Sequence, residues 1–522
     1  MKKNSFPGLA AASLAAVTSG NPITRRQEQL TFDSPGNPIL GDGSVYSADP
    51  APLVVNDTVY ILSGRDEADP VTNDFVMNEW QIFEAQNPVP SGGEWTLHQN
   101  VAQPQDIFAW AESGGAYASQ IVKGVDGRFY LYAAAEEANG ASDPFSIGVA
   151  VSDSPTGPFE DAHPEGPIIS QNIPSPGNNI HNIDPTVLVD DDGRVFVYWG
   201  SFNQLRGYEL DADMTTVVGD VVSVDVLTGY FEAPWLMKRG ETYYMLFAAN
   251  NAGPDSPCSP TSYHACIAYG TASEPLGPWT FQDVILDIVS STTSHPGAYK
   301  LGDEWFLVYH TADAEGGGHF RRSVAFDKLE FDDTTSPPSI LKVEQTWRDS
   351  LTEPRPPSRN IAPLATAESE NGTPIQYWIA ALNDERILEN PLPPDYWSSW
   401  ADAQSPETNV LTYTWNTTVE LNGVAISFFA DSPEGSSTGV APPASWHAEY
   451  LDDQGSWSEV VLSGNNGYPT EPSLDPAEVS FETVSTTGFK VVLQGAGGPN
   501  QFGAVGVHEW MAYSPEAQLL KL

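Results

Sequence analysis

The stretch "DPTVLVDDDGRVFVYWG", residues 184–200, has the layout of a short antiparallel hairpin. An acidic residue and a proline precede an apolar run, a polar turn follows, and a second apolar run begins at Val195. Aromatic and β-branched runs bounded by Asp and Gly clusters indicate strands. The same layout recurs at four other places: "DPAPLVVNDTVYILSG" (49–64), "AYASQIVKGVDGRFYLYAAA" (116–135), "EAPWLMKRGETYYMLFAAN" (232–250) and "HPGAYKLGDEWFLVYHTA" (295–312).

Five copies of one hairpin predict a five-bladed β-propeller, with each copy forming the inner strands of a blade. We expect "ILKVEQTW", residues 340–347, to close the ring. After a Pro-rich stretch, alternating strands without the repeat predict a β-sandwich. The predicted fold is therefore all-β, a five-bladed β-propeller followed by a β-sandwich domain. Its segments are a signal peptide or propeptide (1–26), the propeller (27–350), a Pro-rich linker (351–360) and the sandwich (361–522).

The composition limits the partners of the protein. The chain carries 69 Asp and Glu against 22 Lys and Arg, a formal net charge of −47. Such a field repels nucleic acid and anionic membranes, so neither is an expected partner. Aromatic residues make up 11% of the chain, including 15 Trp, which is typical of a folded protein and suits binding of neutral sugars. We expect a monomer.

The N-terminus has the pattern of an export signal. "MKKNSFPGLAAASLAAVTSG" combines two lysines, a short apolar stretch and small residues, so the chain is predicted to be secreted and extracellular. The alternative is a disordered apolar tail. In an exported protein, Cys258 and Cys266 are expected to form a disulfide. Three sequons for N-glycosylation begin at Asn56, Asn371 and Asn416.

The first residues of four repeats carry the predicted chemistry. Inner strands of a propeller begin near its axis, so these residues should meet in one pocket: Asp49, Asp184, Glu232 and His295. Each acid taken alone is an ordinary solvated or turn residue, but the shared position in the repeat argues for a common site. Two carboxylates around a sugar pocket are what glycosidic hydrolysis requires.

Mutual repulsion among three carboxylates raises the pKa of at least one and keeps it protonated. Glu232, in the apolar setting "GYFEAPW", is the predicted proton donor. Asp49 is the predicted general base. Asp184 is then left to tune pKa values and to orient the substrate.

Four stretches resemble the signatures of glycoside hydrolase family 43: "SADPAP" (47–52), "NIDPTVLVDDDGRVFVYWGS" (182–201), "YFEAPWLMKRGETYYMLF" (230–247) and "SHPGAYKLGDEWFLVYH" (294–310). The resemblance covers roughly residues 35–347. It implies a five-bladed propeller of inverting arabinofuranosidases, xylosidases, arabinanases and galactanases. It also implies the same three roles for Asp49, Asp184 and Glu232.

The resemblance further implies that His295 helps, through water, to hold a structural calcium ion on the axis, although a purely structural histidine is an alternative. No cofactor is expected to be required for the chemistry. "GHFRRSVAFDKLEF" (318–331) resembles the stretch whose arginine reaches the pocket, and this leaves Arg321 and Arg322 open.

One departure from the family concerns the stacking wall of the pocket. The second repeat reads "AYASQ" where the family often has Trp-Ala-Pro, so Tyr117 or Trp110 is predicted to supply the wall. Further wall candidates, for which core packing is an equal alternative, are Trp199, Tyr230 and Phe231.

The C-terminal region resembles galactose-binding-like sandwiches, and we favour a structural role for it. The expected function is a secreted inverting hydrolase that releases α-L-arabinofuranosyl side groups from arabinoxylan or a related plant cell-wall polysaccharide such as arabinan. The alternatives are a β-xylosidase or an exo-galactanase of the same family. From other classes, a non-catalytic sugar-binding propeller or a calcium-dependent adhesion protein remains open.

Overall fold

The structure is a computed structural model that describes residues 28–518. It leaves out short segments within this range: 139–143, 174–179, 250–257, 259–264, 290–292, 347–356, 390, 402–404, 432–438, 465–466 and 497–502. The predicted signal peptide or propeptide (1–26) and residues 351–356 of the predicted linker lie outside the described residues. Within the described ranges, no helix is long and apolar enough to cross a membrane.

Five antiparallel sheets form the blades of a propeller. Blade one contains β1 (Glu28–Ser34), β2 (Ala48–Val55), β3 (Thr58–Asp66), β4 (Met77–Gln86) and β5 (Gly93–Ala102), followed by the short helix α1 (Pro104–Ile107). Blade two contains β6 (Ser119–Lys123), β7 (Phe129–Glu136), β8 (Phe145–Ser152) and β9 (Glu160–Asp161). Blade three contains β10 (Thr186–Val189), β11 (Val195–Trp199), β12 (Leu205–Leu210) and β13 (Val217–Val224).

Blade four contains β14 (Tyr230–Arg239), β15 (Thr242–Ala249), β16 (Cys266–Ala272) and β17 (Thr280–Leu286). Blade five contains β18 (Gly297–Leu301), β19 (Glu304–Thr311) and β20 (Ser323–Lys328), and a small hairpin of β21 (Phe331–Asp332) and β22 (Ser339–Ile340) follows. Each repeated stretch forms the two inner strands of one blade, as predicted. The all-β prediction with five propeller blades is confirmed.

The five inner strands surround the axis, and each contacts the next, from β2 through β6, β10, β14 and β18 back to β2. Apolar side chains fill the spaces between neighbouring blades and are almost completely buried. The inner strands of all five blades, with the hairpin turns of blades three to five, line a cavity of about 1080 Å³ at one end of the axis. The first residues of the repeats lie at the opposite end.

The ring closure involves an N-terminal segment that the sequence did not predict. Residues 37–47 run along the edge of β20: the Ile39 backbone N–H donates to the Val324 carbonyl at 2.8 Å, and the Ser47 backbone N–H donates to the Arg322 carbonyl at 2.7 Å. Of the predicted closing segment, the described residues 340–346 run from blade four, where the Val343 N–H donates to a β17 carbonyl, to blade five, where the Thr346 hydroxyl donates to Asp327 of β20 at 2.6 Å. An N-terminal segment therefore supplies the outer partner of the last blade.

The C-terminal region is a second all-β domain around its own core. Its strands are β23 (Ser358–Asn360), β24 (Thr366–Ser369), β25 (Trp397–Ser398), β26 (Thr408–Phe429), β27 (Ser445–Leu451), β28 (Trp457–Glu459), β29 (Val479–Gln494) and β30 (Gly506–Gln518). Among the residues described for this domain, three short 3-10 helices accompany the strands: Ala362–Leu364, Ile379–Leu382 and Pro393–Asp395. All eight strands share one hydrogen-bonded sheet, because β26 pairs with β29 along its first part and with β30 along its last part.

The second domain contacts the propeller through the loop between β19 and β20. His319 Nε2 of this loop lies 2.6 Å from Asp395 Oδ2, and both side chains are buried. Arg386 Nη1 of the second domain lies 3.5 Å from Asp313 Oδ1 of the same loop. The loop is thus fixed between the two domains.

Asn37 tests the role of the N-terminal segment in ring closure. Its buried amide donates to the Phe326 carbonyl at 2.8 Å and accepts from the Phe326 N–H at 3.0 Å. Asn37→Ala would leave both backbone groups unsatisfied, so we expect the free energy of unfolding to fall by about 2 to 4 kcal/mol. Chemical denaturation measures this loss. The exposed Asn172→Ala is the control, and equal stability of the two variants would contradict closure by this segment.

Candidate active site

The backbone is in an unfavourable conformation where three inner strands begin. Asp49, Asp184 and Ala233 have φ angles of 55°, 57° and 56°, in the left-handed region. A proline follows each of them, and a residue before proline ordinarily prefers an extended conformation. Non-glycine residues held there cost roughly 1–3 kcal/mol each and cluster at functional sites. The same strain in three blades therefore indicates that the functional site lies at this end of the axis.

Glu232 does not occupy the equivalent position that the repeat predicted. The prolines align Ala233, one residue later, with the two aspartates. The strand β14 is bulged here, because Tyr230 and Glu232 pair with consecutive residues of β15 and Phe231 is the extra residue between them. Bulges near active sites re-aim side chains. The bulge compensates for the offset and lets the Glu232 carboxylate interact with the other acids.

Asp49 lies against a buried cation. Its Oδ1 is 3.0 Å from Nη1 of Arg322, and the two side chains are 13% and 3% exposed. Burial alone raises the pKa of Asp49, but the Arg322 guanidinium outweighs this and holds the pKa below its ordinary value. Asp49 is therefore ionised at neutral pH.

A second carboxylate fixes the position of Arg322. Asp66, at the end of β3, accepts from Nε of Arg322 at 2.8 Å and from Nη2 at 3.0 Å, a bidentate geometry. Asp66 also accepts the backbone N–H of Arg322 at 2.9 Å. Because Asp66 belongs to blade one and Arg322 directly precedes β20, this contact ties blade one to blade five at the site.

Two buried histidines flank Asp49. The backbone N–H of Asp49 donates to Nδ1 of His310 at 3.1 Å, and Nε2 of His310 lies 3.1 Å from the Thr293 carbonyl oxygen. This arrangement fits a neutral imidazole with its hydrogen on Nε2. Burial lowers the pKa of His310 to about 3 and that of His295, whose Nδ1 is 3.8 Å from Asp49, to about 4. Arg322 is thus the cation that balances Asp49 at neutral pH.

Asp184 and Glu232 form the complementary part of the site. Burial raises the pKa of Asp184 well above its ordinary value, and the charges of Glu232 and Asp49 add to this, against one hydrogen bond from the Ala233 N–H at 3.0 Å. Burial also raises the pKa of Glu232, to about 7, with Asp49 adding to the shift and a 2.8 Å hydrogen bond from the Ser201 hydroxyl opposing it. The pair therefore retains a proton near neutral pH.

The structure distinguishes the two arginines left open by the sequence. Arg322 reaches Asp49, whereas Arg321 donates from Nε to the Gly316 carbonyl at 2.7 Å and faces the ring of Tyr46. The side chain of Arg321 therefore belongs to the β19–β20 loop and not to the carboxylate cluster.

For Trp199 and Tyr230 the structure supports the alternative of core packing and not a place in the wall of the pocket. Trp199 is completely buried in the core of the propeller and donates from Nε1 to Asn182. Tyr230 is also buried, and its hydroxyl donates to the Gly200 carbonyl at 2.7 Å. Neither ring offers a face to a ligand, because both side chains point into the core between blades.

The other wall candidates keep accessible surface. Tyr117 is half-buried and its hydroxyl donates to Glu136 at 3.2 Å, and Phe231 is half-buried beside Glu232. Trp110 stacks on Phe108 with 5.1 Å between ring centroids. Contact of these three with a substrate stays a prediction.

Sequence reasoning missed several side chains at the site, including Ser201, which donates to Glu232. His310 and Asp66 are polar residues in otherwise apolar inner strands, which was a usable signal. Phe75, 39% exposed, lies 5.0 Å from Arg322 Cζ and 4.7 Å from the ring of Phe320, and no repeat or motif points to it.

A metal site does not emerge from the described residues. Within them, no group of three or more His, Cys, Asp or Glu side chains is arranged to hold a metal ion. His295 turns Nδ1 toward Asp49. A hydrated calcium ion at His295 stays a prediction, and the chemistry below does not depend on it. The disulfide between Cys258 and Cys266 is present.

The site holds an ionised carboxylate and a carboxyl pair that keeps a proton, which is the pairing needed for acid–base hydrolysis of a glycosidic bond.

Xylosidase/arabinosidase 43A of Humicola insolens is 28% identical over 340 residues, 55% of this chain and 95% of that protein. An arabinoxylan arabinofuranohydrolase of Bacillus subtilis is 28% identical over 332 residues, 54% of this chain and 60% of that protein. A solved structure of a glycoside hydrolase family 43 arabinoxylan arabinofuranohydrolase from Bacillus subtilis is 20% identical, with a TM-score of 0.48, and covers 91% of this chain and 98% of that one. Residues 36–336, more than half of the chain, match the family described as glycosyl hydrolases family 43, and the protein therefore belongs to this family.

Proposed function

We propose that the protein is an inverting α-L-arabinofuranosidase that releases side groups from arabinoxylan or a related plant polysaccharide. The observation that supports this most strongly is the contrast between Asp49, whose pKa is lowered by Arg322, and Glu232, whose pKa is raised to about 7. One site thus presents a base and an acid at the same pH.

In the proposed reaction, the Glu232 carboxyl donates its proton to the glycosidic oxygen as the bond to the anomeric carbon breaks. Asp49 accepts a proton from a water molecule, whose oxygen attacks the anomeric carbon from the opposite face. Arg322 keeps Asp49 ionised in a buried setting. Asp184, whose pKa is raised together with that of Glu232, orients the sugar.

The relatives favour arabinose without excluding xylose. Their names include arabinoxylan arabinofuranohydrolase, xylosidase/arabinosidase and beta-xylosidase. The three acids suit either sugar, so β-xylosidase is the second candidate.

We also propose export of the chain and N-glycosylation, because the chain has a disulfide and its three sequon asparagines are exposed.

Product analysis by ¹H NMR on arabinoxylan tests the activity and the stereochemistry together. We expect loss of the α-arabinofuranosyl anomeric signals and the first appearance of free arabinose as the β anomer, since attack on the opposite face inverts the centre. Release of xylose alone from xylooligosaccharides would identify a β-xylosidase. First appearance of the α anomer would contradict inversion.

Matched variants separate the acid from the base. Glu232→Gln should lower kcat on the polysaccharide by about 10² to 10⁴, and by much less on a 4-nitrophenyl glycoside, whose leaving group needs no proton. Asp49→Asn should lower kcat on both substrates, because water attack is needed in each case. Thermal unfolding checks that both variants are folded, and equal losses on both substrates for Glu232→Gln would rule out its role as the acid.

Ser201→Ala tests the origin of the Glu232 pKa. The serine hydroxyl stabilises the carboxylate and so lowers the pKa; its removal should raise the pKa. Activity requires protonated Glu232 and falls as pH rises through this pKa, so the alkaline limb of kcat/KM should move up by about one pH unit. The exposed Ser223→Ala on β13 is the control. A limb that stays in place or moves down would refute this assignment.

A further inference from the structure

A chain of aromatic rings runs across three blades at this end of the propeller. Successive ring centroids lie 5.3, 4.3, 5.2 and 5.4 Å apart. The rings, which we call the aromatic arc, belong in this order to Tyr117, Phe145, His181, Phe202 and Phe231. Each retains some exposed surface.

The arc ends at the predicted proton donor. Phe231 is the bulged residue directly before Glu232. Phe202 directly follows Ser201, whose hydroxyl binds Glu232 at 2.8 Å. The two segments are joined by a hydrogen bond from the Asn203 N–H to the Phe231 carbonyl at 3.1 Å.

Neither burial nor turn preference explains Phe202. Residues 201–204 form a turn closed by the Gln204 N–H and the Ser201 carbonyl, with φ of 49° at Phe202 and 66° at Asn203. Positive φ at both central positions is the type I′ turn, which strongly favours Asn-Gly, and a bulky residue there is an outlier. The Phe202 side chain is nevertheless 59% exposed. A strained, water-exposed aromatic residue beside the acid points to contact with a ligand.

The position of Glu232 indicates which part of the substrate would contact Phe202. The proton donor must contact the glycosidic oxygen, so the leaving group lies beside Glu232, and the attacking water lies on the side of the base. Asp49, Arg322 and Phe75 belong to blades one and five. The aromatic arc belongs to blades two to four, which is the side of Glu232.

We propose that the aromatic arc, with Phe202 and Phe231 at its centre, binds the leaving-group part of the substrate as an uncharged polysaccharide backbone. The apolar faces of pyranose rings pack on the aromatic rings, and the net charge of −47 disfavours backbones rich in uronic acids. This proposal rests on the proposed function of the same site and specifies its substrate class.

Phe202→Ala tests the proposal by comparing two leaving groups. Arabinoxylan oligosaccharides carry backbone sugars, whereas methyl α-L-arabinofuranoside carries only a methoxyl group. We expect kcat/KM on the oligosaccharides to fall by about tenfold, the scale expected for one buried aromatic contact. On the methyl glycoside we expect kcat/KM to fall by about twofold or less. Phe202→Trp should restore most of the loss, and Val218→Ala, an exposed residue on β13 of the same blade, is the matched control.

Phe202→Asn guards against a folding artefact. Asparagine tolerates positive φ better than phenylalanine, so this variant should unfold at an equal or higher temperature while losing oligosaccharide activity. Equal losses on both substrates, or no loss on the oligosaccharides, would overturn the proposal. Failure of the wild type on both arabinosides would instead refute the proposed function. The arc would then be tested with xylotriose against methyl β-D-xyloside, and the same two outcomes would decide it.

Discussion

The contact between Arg322 and Asp49 is the interaction on which the rest of the site depends. Burial in an axial site disfavours a charged carboxylate, and a neutral Asp49 could not act as a base. Arg322 reverses this preference at 3.0 Å, and Asp66 fixes the guanidinium from the other side. Among the described residues, Glu232 has no direct ion pair with a cation, and the charge of Arg322 only partly offsets the effect of burial, so a proton is retained. One asymmetrically placed arginine thus separates the two protonation states.

The placement of Arg322 depends in turn on the architecture. It ends the β19–β20 loop, and its contact with Asp66 exists only because ring closure brings blades one and five together. The same loop carries His319, whose ring meets Asp395 of the second domain at 2.6 Å. The second domain therefore packs against the loop that positions the Arg322 guanidinium. This contact connects the second domain to the site. Its large tryptophans at 397, 446 and 510 are buried in its own core.

Much of the fold and of the carboxylate site could be predicted from the sequence, because the repeat shows where each blade lies and where each inner strand begins. Asp49 and Asp184 followed directly from it. Three features did not. Ring closure by residues 37–47 leaves no repeated pattern, the bulge at Phe231 shifts Glu232 by one position, and the burial of Trp199 depends on side-chain direction, which residue type alone does not specify. Pairing across the ring, as between Asp66 and Arg322, requires the closed fold.

The opposite protonation of Asp49 and Glu232 is tested most directly by a carboxyl titration. The measurement is ¹³C NMR of the folded protein with labelled Asp and Glu carboxyl carbons, with Asp49→Asn and Glu232→Gln used to assign the two signals. We predict that the Asp49 signal stays that of a carboxylate down to pH values below the ordinary aspartate range, and that the Glu232 signal changes near pH 7. Titration of both groups together near pH 4 would contradict the account.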